Sequence, residues 1–338
     1  MQTIPVSSLP LGDVINEIAK AFHTESTEKF DEYSLQLPDC VGQGSIKGIN
    51  FEGGLGIIQY NCTFEEDTEI QFIVNSVHPL KFIYVIEGTL HHRFEGEKTI
   101  HIVHKFQNTI VASSDNHGHI LNFKKGVKTS IFSLEINREK FISKSHFFRE
   151  DVDPEIKKIF QDHKAEIPFY YEGDYSLKMA DIFKKIEDFN ERDFLYKFFM
   201  QSVAYRTLVY QISQFLDDRR DENHRSVLRR SEIEKIVDAA NYIKNNLVTY
   251  RSLPCLTTLT GLNSSKLQEG FKHLFNKTVN QYVYNMRIEL AKELLMNTDD
   301  SISEIVYKVG LSSKSYFSKI FKNEYGVQPS SFRKTKKQ

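Results

Sequence analysis

The spacing of apolar residues divides the chain into a stretch of short alternating runs between stretches of longer period. Near the start, Val14, Ile15, Ile18, Ala21 and Phe22 share one face at helical spacing and predict a helix. From residue 40 to 137 the period shortens. Residues 55–60, 69–74, 82–86, 89–94, 98–103, 109–112 and 130–136 read as strands, with Gly88 and Glu95-Gly96-Glu97 as tight connections. In the last run Phe132, Leu134 and Ile136 alternate with Ser133 and Glu135, the period of a half-buried strand. Many short strands with regular turn spacing predict a jelly-roll or sandwich.

From Asp151 the pattern turns helical. Asp153-Pro154 reads as a helix start, with Ile156, Ile159 and Phe160 on one side. Residues 168–173 read as a break, and residues 176–189 and 191–216 as two helices. In the second of these, Leu195, Phe198, Phe199, Val209, Ile212, Phe215 and Leu216 cover more than one narrow stripe. Two readings stay open: a plain core helix, or a helix buried by the β-domain on one side and a second copy of the chain on the other. Residues 217–230 are charged and read as a linker.

Residues 231–338 read as a run of helices in which one pattern occurs twice. Gly261-Leu262-Asn263-Ser264-Ser265-Lys266-Leu267-Gln268-Glu269-Gly270-Phe271-Lys272 is echoed by Gly310-Leu311-Ser312-Ser313-Lys314-Ser315-Tyr316-Phe317-Ser318-Lys319-Ile320-Phe321-Lys322. Each has a glycine turn followed by a helix that starts at serine, the grammar of helix-turn-helix. At about 100° per residue, Leu267, Phe271 and Leu274 face one way, and Ser265, Gln268, Glu269 and Lys272 the other. In the second unit Phe317, Ile320 and Phe321 face inward, while Ser315, Ser318, Lys319 and Lys322 face outward. Short polar and basic side chains on the outer face suit a helix in the DNA major groove, where amides and lysines reach base edges. Ser231–Glu234 and Ser301–Glu304 both fit the capping box. Residues 279–296 read as one long helix that holds the two units about one DNA turn, ~34 Å, apart.

Charge changes the picture. From Arg229 onward the chain carries 18 Lys and Arg against 10 Asp and Glu, whereas the remainder carries 26 against 35. A basic C-terminal part fits a polyanionic partner. With 40% hydrophobic and 26% charged residues and no apolar run near 20 residues, the composition is that of a globular chain with no expected membrane span. The N-terminus lacks the pattern of a secretory leader. Cys40, Cys62 and Cys255 are scattered, against a disulfide framework or cysteine-rich zinc site. A cytoplasmic protein is expected.

On these residues the C-terminal part, 231–335, resembles the DNA-binding domain of the AraC/XylS family of transcription regulators. The likeness runs through Arg287-Ile288-Glu289-Leu290-Ala291-Lys292-Glu293-Leu294-Leu295, Ser301-Ile302-Ser303-Glu304-Ile305-Val306, Gly310-Leu311, Ser315-Tyr316-Phe317-Ser318-Lys319, Phe321-Lys322 and Gly326-Val327-Gln328-Pro329-Ser330-Ser331-Phe332-Arg333. The resemblance implies base reading by Ser265, Gln268, Glu269, Lys314, Ser315, Ser318 and Lys319. It implies phosphate contacts by Lys272, Lys322 and Arg333, which position without reading sequence. Departures concentrate in the first unit. Thr257, Thr258 and Thr260 are weak helix formers, Gly270 interrupts the first recognition helix, Glu269 stands where basic residues are frequent, and Leu311 replaces the usual Phe. The second unit is therefore expected to supply more of the affinity.

The stretch 44–141, with Phe82-Ile83-Tyr84-Val85-Ile86-Glu87-Gly88-Thr89-Leu90, resembles a cupin-type sensor domain. The expected architecture is a multidomain β plus α chain: a jelly-roll, cupin-like β domain with an N-terminal helix (1–150), a helical segment and linker with a candidate dimerisation role (151–228), and an all-α double helix-turn-helix domain (229–338). The expected function is an effector-responsive activator that contacts double-stranded DNA and, by the resemblance, RNA polymerase. No cofactor is expected.

A metal-dependent cupin enzyme or a constitutive DNA-bound scaffold are the competing readings. His91, His92, His101, His104, His117 and His119 fall in the β region, but the ordered His-x-His, Glu, distant His pattern of catalytic cupins is missing. They read as surface or hydrogen-bonded histidines. Phe72, Tyr84 and Phe94 read as core residues that could also line a barrel cavity. Gly53-Gly54-Leu55-Gly56 precedes no helical pattern, which disfavours a phosphate loop. No nucleophile and base are paired by the sequence.

Overall fold

The computed structural model describes residues 1–73, 77–114, 117–144, 152–189, 194–220 and 230–334. It divides into two compact units, Met1–Arg225 and Ser226–Gln338. In the first unit a five-stranded sheet runs in the order β1 (Gln2–Val6), β6 (Thr68–Phe72), β11 (His119–Phe123), β8 (Thr89–Phe94), β9 (His101–His104). An eight-stranded sheet runs β13 (Phe169–Tyr175), β10 (Gln107–Ala112), β7 (Leu80–Glu87), β12 (Thr129–Ile136), β5 (Leu55–Phe64), β4 (Gly42–Asn50), β3 (Glu32–Gln36), β2 (Ser26–Lys29). β1 and β6 are parallel; the other pairings are antiparallel.

Strand alternation builds two cores from one sheet. On β7, Ile83 and Val85 join Phe72, Leu90, Phe94 and Leu121 between the sheets, with α1 (Leu11–Ala21) contributing Val14, Ile15 and Ile18. Phe82 and Tyr84 point to the other face, where they meet Ile156, Ile159 and Phe160 of α3 (Pro154–Gln161), Met179, Ile182 and Phe183 of α4 (Leu177–Asp188) and Tyr196, Met200, Val203 and Phe215 of α5 (Phe194–Arg220). A short helix, α2 (Arg138–Lys144), follows β12. Burial on both faces explains why residues 82–86 are continuously apolar rather than alternating.

Four expectations are corrected. Residues 168–173, read as a break, lie mostly in β13, where Thr109 donates to the Tyr171 carbonyl at 2.6 Å. Residues 217–220, read as linker, continue α5, held by an Arg219–Glu155 ion pair of 3.3 Å and a Tyr171 hydroxyl on Asp218. Residues 74, 191–193 and 221–229 of the expected elements lie outside the described residues. Residues 98–100 precede β9 rather than belonging to it. Finally, His92 and His119 are fully buried rather than at the surface, and among the described residues neither ring nitrogen of either has a hydrogen-bond partner. His117 alone of the pair around Gly118 is exposed, within 3.0 Å of the Ser114 hydroxyl.

The second unit consists of α6 (Arg230–Asn245), α7 (Leu253–Thr260), α8 (Ser264–Phe275), α9 (Val279–Asn297), α10 (Ile302–Lys308), α11 (Lys314–Tyr325) and α12 (Pro329–Lys334). Ser231 falls within the bounds of α6, and Glu232 pairs with Lys266 of α8. The capping box at Ser301 and Glu304 is formed, with hydrogen bonds in both directions. Among the described residues, no helix is long and apolar enough to cross a membrane.

Candidate nucleic-acid interface

Each of the two repeats folds as helix, left-handed turn, helix. Gly261 and Gly310 take φ of 67° and 75°, which side chains other than glycine rarely adopt. A Cβ on Gly310 would also press on the Val248 carbonyl at 2.9 Å. The second helix of each pair then starts with a side-chain cap. Asn263 accepts from the Lys266 amide at 2.9 Å, and Ser313 from the Tyr316 amide at 3.2 Å.

The threonines of α7 are compatible with helix because their hydroxyls return to carbonyls one turn back: Thr257 and Thr258 to Pro254, Thr260 to Leu256 at 2.7 Å. Thr260 also accepts from the Leu262 amide at 3.2 Å, which closes the turn. Gly270 is equally purposeful. A Cβ there would overlap the Ile236 side chain, so the glycine permits α8 to lie close against α6. Leu267, Phe271 and Leu274 are buried beneath α8, and Phe317, Ile320 and Phe321 beneath α11.

The connecting helix α9 has 19 residues, about 28 Å at 1.5 Å per residue. Its early residues Val279 and Val283 are buried, and its later residues Ile288, Ala291 and Leu295 belong to the core under α11. Arg287, midway along it, donates to the carbonyls of Leu247 and Tyr250 at 3.2 and 3.0 Å, tying the end of the first helix to the strut. Its role as a tie was not legible from its position in the motif.

The candidate contact residues divide by exposure. Ser265, Glu269 and Lys272 are exposed on α8, and Lys314, Ser315, Lys319 and Lys322 on α11. Ser318 is half-buried. Gln268 is also half-buried, and its carbonyl accepts from the Val279 amide at 3.1 Å, so part of its hydrogen-bonding capacity serves the start of α9. Arg333 is half-buried, with Nε and Nη2 covered, and its charge helps to hold the Asp300 carboxyl below its usual range, after hydrogen bonds from Lys308 and Thr298. It therefore has less to offer a phosphate than Lys272 or Lys322. Tyr316, 51% exposed beside the polar stripe of α11, was passed over in favour of its polar neighbours. An aromatic on the solvent side of a helix start is the signal that could have found it.

Family comparison fits this geometry. A profile described as "Helix-turn-helix domain" matches residues 256–335. A second, described as "Regulatory protein PchR N-terminal domain", matches residues 43–228, more than half the chain. The chain belongs to the AraC/XylS family of transcription regulators.

This regulator is 32% identical over 100 residues to an uncharacterized HTH-type transcriptional regulator in the cgkA 5′ region of Pseudoalteromonas carrageenovora, covering 30% of this chain and 59% of that one. It is 33% identical over 98 residues to the xylose operon regulatory protein of Haemophilus influenzae, covering 29% and 25%. A crystal structure of an AraC-type transcriptional regulator from Chromobacterium violaceum aligns with 24% identity over 32% of this chain and 98% of that one, at a TM-score of 0.30. The alignments thus span less than two thirds of these curated relatives' length.

Proposed function

We propose that this chain is a sequence-specific DNA-binding regulator of transcription, an effector-responsive activator that inserts α8 and α11 into successive major-groove segments. The observation that carries the reading is the pair of capped, glycine-turned helices with exposed Ser and Lys on both, braced by α9 over about one duplex turn. Lysine contacts to phosphate would supply affinity with steep salt dependence, and groove contacts the discrimination. Within that reading Ser265, Glu269, Lys314, Ser315, Ser318 and Lys319 read bases, with Gln268 limited to its amide nitrogen. Lys272 and Lys322 hold phosphates, and Arg333 in a lesser way.

The N-terminal half would sense a small molecule and pair two copies of the chain in the cytoplasm, with RNA polymerase as the further partner that family membership implies. For pairing, α5 leaves Phe194, Leu195, Phe198, Tyr205 and Val209 exposed, an apolar set that a second copy of the chain would cover.

The test is selection of bound fragments from genomic DNA followed by gel-shift titration with Lys319→Ala. The variant is expected to lose about 1–3 kcal/mol of binding and to relax preference at one base position. Unchanged affinity and preference would remove α11 from the groove.

A further inference from the structure

The two turn glycines hold the same place in the two repeats, yet their surroundings differ. Gly261 takes φ of 67°, and a Cβ built on it would meet nothing nearer than the Lys235 ammonium at 3.9 Å. Gly310 takes φ of 75°, and a Cβ there would lie 2.9 Å from the Val248 carbonyl oxygen and 3.1 Å from that of Leu247. The first turn needs glycine for its backbone angle. The second needs it for contact as well. What it contacts is the segment that follows α6, the helix on which α8 packs.

That segment is tightly wound and held from a second side. The amides of Thr249 and Tyr250 both donate to the Asn246 carbonyl, at 3.0 and 2.7 Å, and the Asn246 side chain donates to the Tyr242 carbonyl at 3.0 Å. Leu247 and Tyr250 are buried. Arg287 of α9 shares one nitrogen, Nη2, between the Leu247 and Tyr250 carbonyls at 3.2 and 3.0 Å, a charged donor just past the end of α6. At the other end of this path α8 is seated on α6 without slack, through the Lys266–Glu232 pair and the close approach of Gly270 to Ile236. On the far side, α9 reaches α11 through Ile288, Ala291 and Leu295 and through the Tyr284 hydroxyl, which donates to the Ile320 carbonyl at 3.4 Å. One path from α8 to α11 therefore runs along α9, and another runs through α6 and Gly310. Arg287 joins them into a closed frame. A lone helix bends gently, whereas a closed frame changes shape only by breaking a contact.

We propose that Arg287 and Gly310 determine the spacing of the two operator boxes, one under α8 and one under α11, that a single copy of the chain accepts. They are positioning residues: they touch no base, and they fix the distance and angle between the two readers. The inference rests on the reading of α8 and α11 as groove readers and adds a second kind of specificity, for the length of DNA between the boxes. One extra base pair moves the second box by ~3.4 Å and turns it by roughly 34°. Hydrogen bonds tolerate a range of only ~0.5 Å, so the contacts of α11 survive the insertion only if the frame yields. With the frame closed, lengthened operators are rejected. Opened at Arg287, the unit bends to accept them and binds the natural spacing somewhat less well, because the readers are no longer held ready.

The experiment is gel-shift titration of the full chain on an operator selected from genomic fragments, and on the same operator with one base pair inserted between the boxes. The wild type is expected to bind the lengthened operator at least tenfold more weakly. Arg287→Met, which keeps an unbranched stem but removes the donors, should shrink that penalty to less than threefold while both boxes remain protected. A second pair of variants separates positioning from turn strain. Asparagine tolerates positive φ, so Gly310→Asn and Gly261→Asn make the same demand on the backbone, but only Gly310→Asn presses on Val248. Gly310→Asn should lower the penalty as Arg287→Met does, and Gly261→Asn should leave it at the wild-type value. Should Arg287→Met fail to fold by circular dichroism, the asparagine pair decides, and the wild-type arm is open to no folding defect. A wild type indifferent to the insertion, an Arg287→Met variant with the full penalty, or asparagine variants that behave alike would each overturn the proposal. Failure of the groove reading is a different result: binding and base preference that Lys319→Ala leaves unchanged.

Discussion

At the scale of single residues, the side chains that looked like defects are the ones the fold uses. Gly270 is the sharpest case. From sequence it weakens a recognition helix; in the structure it is where α8 meets Ile236. Gly270→Ala improves local helix propensity and yet should lower stability, because overpacking costs about 1–3 kcal/mol against roughly 1 kcal/mol gained from propensity. A thermal melt of the C-terminal unit checks the sign: a fall in Tm is expected. The buried histidines make a second prediction. His78 and His92 bind fewer protons folded than unfolded at any pH between their folded values, about 4 and about 3, and the ordinary 6.5. Stability of the sandwich should therefore fall as pH drops from 7 to 5, and fall further below that, since the unfolded chain takes up the protons. Urea unfolding across that range measures it, and His92→Phe with His119→Phe should flatten the slope.

At the scale of elements, legibility followed the simplicity of the environment. Helices with one buried face, such as α8, α9 and α11, show their period in the sequence, and their starts at Asn263, Ser301 and Ser313 are written in cap residues. β13 was hidden because its order comes from pairing with β10, more than fifty residues earlier in the chain, and because Pro168 and Gly173 mimic a loop. The end of α5 was hidden because its charges have partners on distant elements, which composition cannot reveal. The contact face on α11 was legible almost whole. Gln268 and Arg333 were less so, since their polar atoms turn to α9 and toward Asp300. For α5 itself the open choice between core and interface narrows: Met200, Val203 and Phe215 are buried, while Phe194, Phe198 and Val209 are more than half exposed. Phe198→Asp should leave the fold intact and convert a dimer to a monomer, read by light scattering after gel filtration. A monomeric wild type would remove α5 as the pairing surface.

At the scale of the whole molecule, the chain joins a β sandwich to a basic unit of two helix-turn-helix repeats, and each unit has its own core. Only the second is asked to touch DNA. Its two turns, Gly261 and Gly310, are joined through Arg287 and α9 into one block, so the readers should move together rather than independently. Hydroxyl-radical footprinting of the full chain on a selected operator tests this most directly. Two protected patches on one face of the duplex, about one helical turn apart, are predicted, with Lys319→Ala raising the protein concentration needed for protection and weakening most the positions nearest α11. A single patch, two patches on opposite faces, or a footprint indifferent to Lys319 would contradict the account.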